Sequence, residues 1–276
     1  KNNKANQGIF KNLGINRGVL VLVQEYMKTY DLSILDQKIN NINSLANDLT
    51  EKAIDRASVA MKKFTRLPES EIVTPEFITD KIIDTLPKKD IKTSTKILDI
   101  ASKQGEFVYA VYKKFGKKVA NNVYSIPTSK VAYEFTRKVY ESLDLNIHNI
   151  EKNYTSYQLT EANEIINGKN VKINDMYMKF DVIIGNPPYQ ISDGGAQASA
   201  KPIYNEFVDI AKKLSPNYIS IIMPTRWYAG GKGLDLFRDE MLNDSHIAEL
   251  HDFLKPDLVF KEVNLRGGVC YFLWDK

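Results

Sequence analysis

Residues 181–189, with the sequence DVIIGNPPY, constrain the fold more than any other stretch of the chain. The three apolar residues of this segment predict a short buried strand. Pro187 and Pro188 fix two φ angles and remove two backbone donors, so the strand must stop there. The result is a rigid turn at the carboxyl end of a strand, with the side-chain amide of Asn186 and free backbone carbonyls. Tyr189 follows as a ring that can stack on a flat group, and the combination suits a planar ligand that carries an amine.

Apolar and amphipathic segments alternate from residue 72 onward. Strands are predicted at residues 97–100, 122–126, 146–150, 180–184, 218–223, 247–253 and 269–274. Helices are predicted at residues 107–115, 130–143, 204–214 and 234–242. Such alternation is typical of a mostly parallel sheet with helices on both faces and ligands at the carboxyl ends of its strands. We therefore predict a doubly wound, Rossmann-like α/β fold, with residues 160–179 as a polar surface excursion.

Residues 1–70 differ from the rest of the chain, because their apolar residues have helical spacing and they contain no group of candidate catalytic or ligand-binding residues. Their apolar positions recur at spacings of three to five residues, as on one face of a long helix. These positions are Leu35, Ile39, Ile42, Leu45, Leu49 and Ile54. We predict an N-terminal helical extension, a connector or bundle, before a main domain over residues 71–276.

Composition narrows the possible partners. Lys and Arg number 38 against 34 Asp and Glu, and the net charge of +4 permits a nucleic-acid partner without requiring one. The single cysteine, Cys270, rules out internal disulfides and lies in an apolar run, so we expect a buried, inert thiol. The three histidines show no metal-ligand spacing, and no metal site is predicted.

The chain shows no signal peptide and no apolar run near the roughly 18 residues of a membrane span. It begins with Lys1 rather than Met. We therefore expect a fragment of a longer cytoplasmic polypeptide, without a membrane partner.

The NPPY tetrapeptide resembles the amino-methyltransferases, which transfer a methyl group from S-adenosylmethionine to an exocyclic or amide nitrogen. In that family the Asn side chain and the following carbonyl accept the two amine hydrogens, and the aromatic ring stacks on the base. Positioning and electrostatic complementarity then supply most of the rate effect, without a strong general base. The resemblance implies that the catalytic residues are Asn186, Pro187, Pro188 and Tyr189.

Residues 99–107, DIASKQGEF, follow the first predicted strand and resemble the family's motif around the methionine part of the cofactor. The matching residues are Asp99, Ala101, Gly105 and Phe107. A glycine here lets the backbone approach a ligand, and the helix N-terminus behind it favours a carboxylate. Lys103 departs from the family, because glycine is frequent at its position.

Three further positions correspond to places where the family contacts other parts of the cofactor. Thr74, followed by Pro75, starts a helix about 25 residues before Asp99, where the family has an element beside the cofactor; an ordinary helix cap explains the same residues. Ile126 could pack on the adenine ring, but Pro127 stands where a carboxylate usually binds the ribose hydroxyls. Asn153 falls where relatives read the cofactor's adenine, although a plain loop explains it equally well.

We interpret the chain as the methylase domain of a DNA adenine N6-methyltransferase, similar to the methylase part of fused, type IIG-like restriction-modification enzymes. DNA is then the partner, with nuclease and target-recognition regions outside this fragment. Base flipping is implied, because the amine must leave the duplex to meet the methyl donor. Tyr189 and Phe260 would contact the flipped base, unless Phe260 is a core aromatic.

Two other functions stay open at this point. A protein-glutamine or ribosomal-RNA methyltransferase could use the same NPPY acceptors, because an amide or a guanine amine needs the same two hydrogen-bond acceptors. A degenerate module could keep the fold and the DNA contact but lose cofactor affinity, and the departures at Pro127 and Lys103 motivate that alternative.

Overall fold

The computed structural model describes residues 52, 54–55, 57–58, 72–161, 164–191, 201–260 and 267–276. The strands are β1 Ile97–Ser102, β2 Val123–Pro127, β3 Ile166–Asn167, β4 Asn170–Ile173, β5 Met176–Met178, β6 Val182–Gly185, β7 Gln190–Ile191, β8 Lys201–Pro202, β9 Tyr218–Pro224, β10 Ile247–Phe253 and β11 Val269–Asp275. The α-helices are α1 Glu76–Thr85, α2 Glu106–Phe115, α3 Lys117–Ala120, α4 Lys130–Ser142, α5 Tyr204–Leu214 and α6 Asp235–Asn243. Short 3-10 helices cover Ile147–Asn149, Ser156–Leu159, Thr225–Ala229 and Pro256–Leu258.

A six-stranded sheet in the order β10-β11-β9-β6-β1-β2 forms the centre of the domain. Strands β2, β1, β6 and β9 are parallel to one another, and β11 runs antiparallel to both β9 and β10. Every residue of β1 and β6 is buried, as is usual for parallel strands with both faces covered. The carboxyl ends of β1, β2, β6 and β9 therefore meet at one edge, and the predicted mostly parallel α/β sheet is confirmed.

Helices cover both faces of this sheet. On one face, Phe107 of α2 and Val139 of α4 join a core cluster with Ile82 of α1. On the other face, Phe207 of α5 and Phe237 of α6 join a second core cluster. Adjacent residues of β6 alternate between the clusters, which is the two-residue period of a strand buried on both sides. The doubly wound architecture is thus confirmed.

Residues 146–150 do not form the predicted third strand. Ile147–Asn149 is a 3-10 helix, and only Ile150 makes a parallel bridge, to Ser125 of β2. Hydrogen bonds from asparagine side chains take the place of backbone pairing between strands. Asn146 Oδ1 accepts from the backbone N–H of His148, and Asn149 Nδ2 donates to the carbonyl of Val123. Side-chain bonds of this kind compete with a strand for the backbone.

The predicted surface excursion at residues 160–179 has structure of its own. Strands β3, β4 and β5 form a separate antiparallel sheet in that order. Val171 and Ile173 of β4 are buried in the second core cluster, so this small sheet packs on the domain. Strands β7 and β8 form a two-stranded pair just after the NPPY turn.

Two predictions, the N-terminal helical extension and the lack of a membrane span, can be compared only with the described residues. Apart from residues 52, 54–55 and 57–58, the predicted N-terminal helical extension lies outside the described residues. Within the described part of the chain, no helix has both the length and the apolar character needed to cross a membrane.

Candidate active site

The turn after β6 begins at a glycine that the backbone requires. Gly185 has φ +155°, and a Cβ built there would lie 3.0 Å from Cγ2 of Ile100 on the neighbouring strand β1. Asn186, Pro187 and Pro188 follow and are buried. Strand β1 and the NPPY turn therefore pack closely at the carboxyl edge of the sheet, where loops from several strands meet.

The side-chain amide of Asn186 is held in one orientation. Its Nδ2 donates to the carbonyl of Ile72 at 3.1 Å and to Oγ1 of Thr74 at 3.0 Å. Its Oδ1 is buried and has no hydrogen-bond partner among the described residues. An unsatisfied buried acceptor costs on the order of 1–3 kcal/mol, so this oxygen is a candidate to accept a hydrogen bond from a ligand.

The Thr74-Pro75 step lies beside the NPPY turn, a contact that the sequence does not indicate. Thr74 is 2% exposed, and α1 begins at Glu76, directly after Pro75. No side chain caps the helix, and the Thr74 hydroxyl instead accepts from Asn186, 112 residues later in the chain. Ile72 supplies the second acceptor through its backbone carbonyl, a contribution that residue types cannot reveal.

The loop after β1 carries two buried carboxylates. Asp99 is fully buried; its Oδ1 accepts from the N–H of Ala101 at 3.4 Å, and its Oδ2 has no partner among the described residues. Glu106 Oε2 accepts from the N–H of Gln104 at 2.8 Å, and Glu106 Oε1 is likewise buried without a partner. Burial, and secondly the charge of Glu106, raise the pKa of Asp99 to about 8. The charge of Lys103 in the same loop lowers the pKa of Asp99 but does not outweigh these two effects.

Gly105 and Phe107 shape the end of this loop. Gly105 has φ +74°, and a Cβ there would lie 3.1 Å from Cβ of Val139 in α4. Only glycine fits this left-handed, crowded position without strain. Phe107 and Ala101 are completely buried, so they pack in the hydrophobic core at the two ends of the loop.

Lys103 connects this loop to the NPPY turn. Its side chain is buried, and Nζ donates a hydrogen bond to the backbone carbonyl of Asn186. The sequence marks Lys103 as a departure from the family's pattern, but the pattern does not indicate where the ammonium group goes.

The remaining predicted cofactor residues lie further apart. Ile126 is fully buried at the end of β2, in the second core cluster, and Pro127 pairs with Ser102 of β1. Asn153 is exposed; its N–H donates to Glu151, and its Nδ2 lies 3.5 Å from Oδ2 of Asp175. Glu151 is a buried carboxylate near β2, but its oxygens already accept from the N–H groups of Asn153 and Asn174. Glu151 thus lies beside β2, where its own N–H donates to the carbonyl of Ser125.

Tyr189 lies in an aromatic group of three rings. Its ring centroid is 6.4 Å from that of Phe260, at 69°, and 6.5 Å from that of Tyr204, at 82°, so both contacts are edge-to-face. The Tyr189 hydroxyl is buried without a partner among the described residues, and burial raises its pKa well above the ordinary value. Phe260 thus contacts Tyr189, and it is also 2% exposed within the first core cluster, as a core aromatic would be. Its contact with a flipped base stays a prediction. Tyr204 was not predicted, because an aromatic residue opening a helix looks like ordinary core.

These contacts separate the predicted site residues into two groups. Asn186, Thr74, Tyr189 and Phe260 are linked by hydrogen bonds or ring contacts, and Lys103 joins the Asp99 loop to them. Ile126 lies apart from that group in the second core cluster, and Asn153 lies at the surface. The arrangement can hold a cation beside Asp99 and an amine beside Asn186. Among the described residues, no group of three His, Cys, Asp or Glu side chains is arranged to hold a metal ion.

Comparisons with known proteins bear on the family and the fold of the chain. A model of the Eco57I restriction-modification methylase family matches residues 40–260. Over 106 residues the chain is 40% identical to a Mycoplasma pneumoniae protein described as an uncharacterized adenine-specific methylase, a match that covers 37% of this chain and 25% of that protein. The chain therefore spans only part of the length of this curated relative.

Two solved structures share the fold. The methyltransferase subunit of a type I restriction-modification system from Streptococcus thermophilus superposes with a TM-score of 0.57 and 16% identity, over 80% of this chain and 48% of that one. A Listeria monocytogenes protein described as a class I S-adenosylmethionine-dependent methyltransferase gives a TM-score of 0.55 and 15% identity, over 84% of this chain and 70% of that one. Since the family model matches well over half of its residues, the chain belongs to the Eco57I restriction-modification methylase family.

Proposed function

We propose that this protein transfers a methyl group from S-adenosylmethionine to the N6 amine of adenine in DNA, as part of a restriction-modification system. Membership of a restriction-modification methylase family supports the reaction class. The 40% identity to a relative described as adenine-specific supports the base. The observation that carries the proposal is the fixed amide of Asn186, which presents a buried, unpaired oxygen.

An amine is the group that this acceptor fits. Asn186 Oδ1 and the carbonyl of Pro187 accept the two hydrogens of the adenine amine. The nitrogen lone pair then localises and can attack a methyl group. The bond between the methyl carbon and the donor sulfur would break as the carbon–nitrogen bond forms, and the methylated amine would release one proton to solvent. Thr74 acts through Asn186, because it holds Nδ2 and thereby turns Oδ1 toward the ligand. No general base is needed for the attack, since positioning and preformed dipoles lower the barrier.

The loop after β1 fits S-adenosylmethionine. When bound, the cofactor supplies an electrophilic methyl group on a positively charged sulfur. Asp99 binds the ammonium of its methionine part, since Asp99 Oδ2 is buried and unpaired. Gly105 lets the backbone approach the ligand, with Ala101 and Phe107 behind the loop. Ile126 and Asn153 stay predicted contacts of the adenine part; for Asn153, which is exposed, this requires the cofactor to reach the surface.

The target adenine binds at the aromatic group. The base leaves the duplex and stacks on Tyr189, with Phe260 as its second neighbour. In the structure these two rings touch each other edge-to-face.

The wider organisation is also part of the proposal. Residues 71–276 form the catalytic unit, and residues 1–70 form a helical connector. DNA recognition and cleavage belong to nuclease and target-recognition regions in the same cytoplasmic polypeptide. The 106 matched residues are 25% of the Mycoplasma pneumoniae protein, so that relative is longer than the 276 residues of this chain and has room for further regions.

Replacement of Asn186 by alanine tests the assignment. We expect Asn186→Ala to lower kcat for methyl transfer to DNA on the order of 100-fold, the effect of losing one preorganised transition-state contact. Calorimetric titration should show S-adenosylmethionine affinity within a few-fold of the wild type. Asn217→Ala, at an exposed position before β9, is the matched control.

The choice of acceptor separates this proposal from its alternatives. DNA, ribosomal RNA and a glutamine-containing protein substrate should each be offered with radiolabelled cofactor, and we expect label only in adenine of DNA. Near-normal transfer by Asn186→Ala, or label in another acceptor, would overturn the assignment.

A further inference from the structure

We propose that Lys103 determines how the site discriminates between the two forms of the cofactor: its ammonium disfavours positively charged S-adenosylmethionine relative to its neutral thioether product, S-adenosylhomocysteine. The inference rests on the proposed function and goes beyond it, because it concerns the residue that sets the affinity ratio of substrate and product.

The first step is the position of the Lys103 side chain. Lys103 leaves the loop after β1, between Asp99 and Gly105, and is only 2% exposed. Its Nζ donates to the carbonyl of Asn186, 83 residues away in sequence. The side chain therefore spans from the loop that holds the cofactor to the residue that holds the amine.

The second step is that the methyl group must cross the same gap. The donor sulfur belongs to a ligand on the Asp99 loop, and the acceptor nitrogen is bound to Oδ1 of Asn186. Reacting atoms must approach to about 3–3.5 Å before transfer. The ammonium of Lys103 is bound to the backbone oxygen of the same residue whose Oδ1 is proposed to bind the amine, and on this ground the proposal places it beside the path of the methyl group.

The third step is electrostatic. Two positive charges several ångströms apart, here the Lys103 ammonium and the sulfonium, repel each other far more strongly in a buried site than in water. The sulfur is positive before transfer and neutral after it. Adenine, ribose and the amino-acid part are the same in both ligands, so their contacts cancel in the ratio of the two affinities. The contribution of the Lys103 charge does not cancel.

The carboxylates around Lys103 do not remove this effect. Asp99 and Glu106 attract the methionine ammonium, but both ligands carry that ammonium. Lys103 also lowers the pKa of Asp99, against the larger raising effects of burial and Glu106, which places its charge near the same loop. The acidic pair also attracts the positive sulfur, but that pair is present in the wild type and in every Lys103 variant. The change of the affinity ratio on substitution therefore reports on Lys103.

The test is calorimetric titration of the intact chain with S-adenosylmethionine and with S-adenosylhomocysteine. Lys103→Met keeps the length of the side chain and removes the charge, whereas Lys103→Arg keeps the charge. We expect Lys103→Met to shift the ratio of the two dissociation constants roughly tenfold in favour of S-adenosylmethionine, equivalent to about 1.4 kcal/mol. Lys103→Arg should keep the wild-type ratio. Lys103→Gln, a second neutral variant, replaces Lys103→Met if thermal unfolding shows that the methionine variant is not folded.

The outcomes separate the two proposals. An unchanged ratio in the neutral variants, or a shift toward S-adenosylhomocysteine, overturns the role of Lys103 while leaving the proposed function intact. A shift of the same size in Lys103→Arg also overturns it, because the charge is then not the cause. Failure of the wild type and every variant to bind either ligand contradicts the proposed function itself, and this inference with it.

Discussion

The amide of Asn186 donates within the protein on one side only, to the carbonyl of Ile72 and the hydroxyl of Thr74. Its oxygen is left buried and unpaired. A side-chain amide can rotate to exchange its two ends, and two acceptors on one side make the exchange costly. Because Ile72 and Thr74 both accept from Nδ2 of Asn186, its Oδ1 is fixed on the opposite side and can accept a hydrogen bond from a ligand.

Tyr189 gives a prediction that separates its ring from its hydroxyl. The ring contacts Phe260 and Tyr204, whereas the hydroxyl is buried without a partner among the described residues. Tyr189→Phe should therefore keep base stacking and raise the free energy of unfolding by up to about 1 kcal/mol, because an unsatisfied polar group is removed. Tyr189→Ala should weaken binding of an extruded adenine by about 1–3 kcal/mol.

Fluorescence titration with DNA that carries a mismatched or abasic-opposed adenine, together with chemical unfolding, measures both effects. If the phenylalanine variant proves as damaging to adenine binding as the alanine variant, the hydroxyl is required and stacking is not the role of Tyr189.

At the scale of secondary-structure elements, Asp244 joins three of them. Its Oδ2 accepts from Lys212 Nζ of α5 at 2.7 Å and from Trp274 Nε1 of β11 at 2.9 Å, and its Oδ1 accepts from the N–H of His246, just before β10, at 3.0 Å. Burial alone would raise the pKa of Asp244, but these hydrogen bonds hold it below its usual value of 3.8. The carboxylate is therefore stabilised by the fold.

We expect Asp244→Ala to lower the free energy of unfolding at neutral pH by about 2 kcal/mol, the loss of charge-assisted hydrogen bonds. Because the folded pKa lies below the unfolded one, this stabilisation is complete above about pH 5 and disappears as the pH falls through the carboxyl range. Urea unfolding at pH 7 and at pH 3 measures it, with the exposed Asp257→Ala as control. Equal losses at the two pH values would contradict the charged role of Asp244.

Most elements could be predicted from the sequence, because their apolar periods reflect burial that the fold then provides. Strands β1, β6, β9, β10 and β11 lie within two residues of their predicted positions. The exception is the predicted strand at residues 146–150, where the sequence NIHNI has apolar residues only at positions 147 and 150. Asn146 and Asn149 there bind the backbone through their side chains, and a count of apolar positions does not include such bonds.

The candidate site was predictable where it depends on residue type, and not where it depends on the backbone. The NPPY turn and Gly105 carry their own signals, since proline and glycine restrict or permit particular φ angles. The carbonyl of Ile72 carries none, because every residue has a carbonyl and only the fold brings this one to Asn186. The reach of Lys103 to Asn186 is likewise a product of the fold.

At the scale of the whole molecule, charge limits how the chain can bind DNA. The net charge is only +4, and we assign base recognition to other regions of the polypeptide. We therefore expect binding of this chain to duplex DNA to be weak, independent of sequence, and lost as the salt concentration rises, because phosphate contacts dominate. Titration of labelled duplexes of several sequences at two salt concentrations measures this. A preference for one sequence that survives high salt would place base recognition within the 276 residues.

The position of β11 has a consequence for how the sheet is completed during synthesis on the ribosome. Strand β11 lies between β9 and β10, although both precede it in the chain. Among the described strands, β10 pairs only with β11. The nascent chain can therefore assemble β2, β1, β6 and β9 early, whereas β10 must wait, unpaired, until residues 269–275 have left the exit tunnel. Until β11 is available, the growing protein carries an unpaired strand edge at β9. This edge is the surface at which we expect a ribosome-associated chaperone to prevent aggregation.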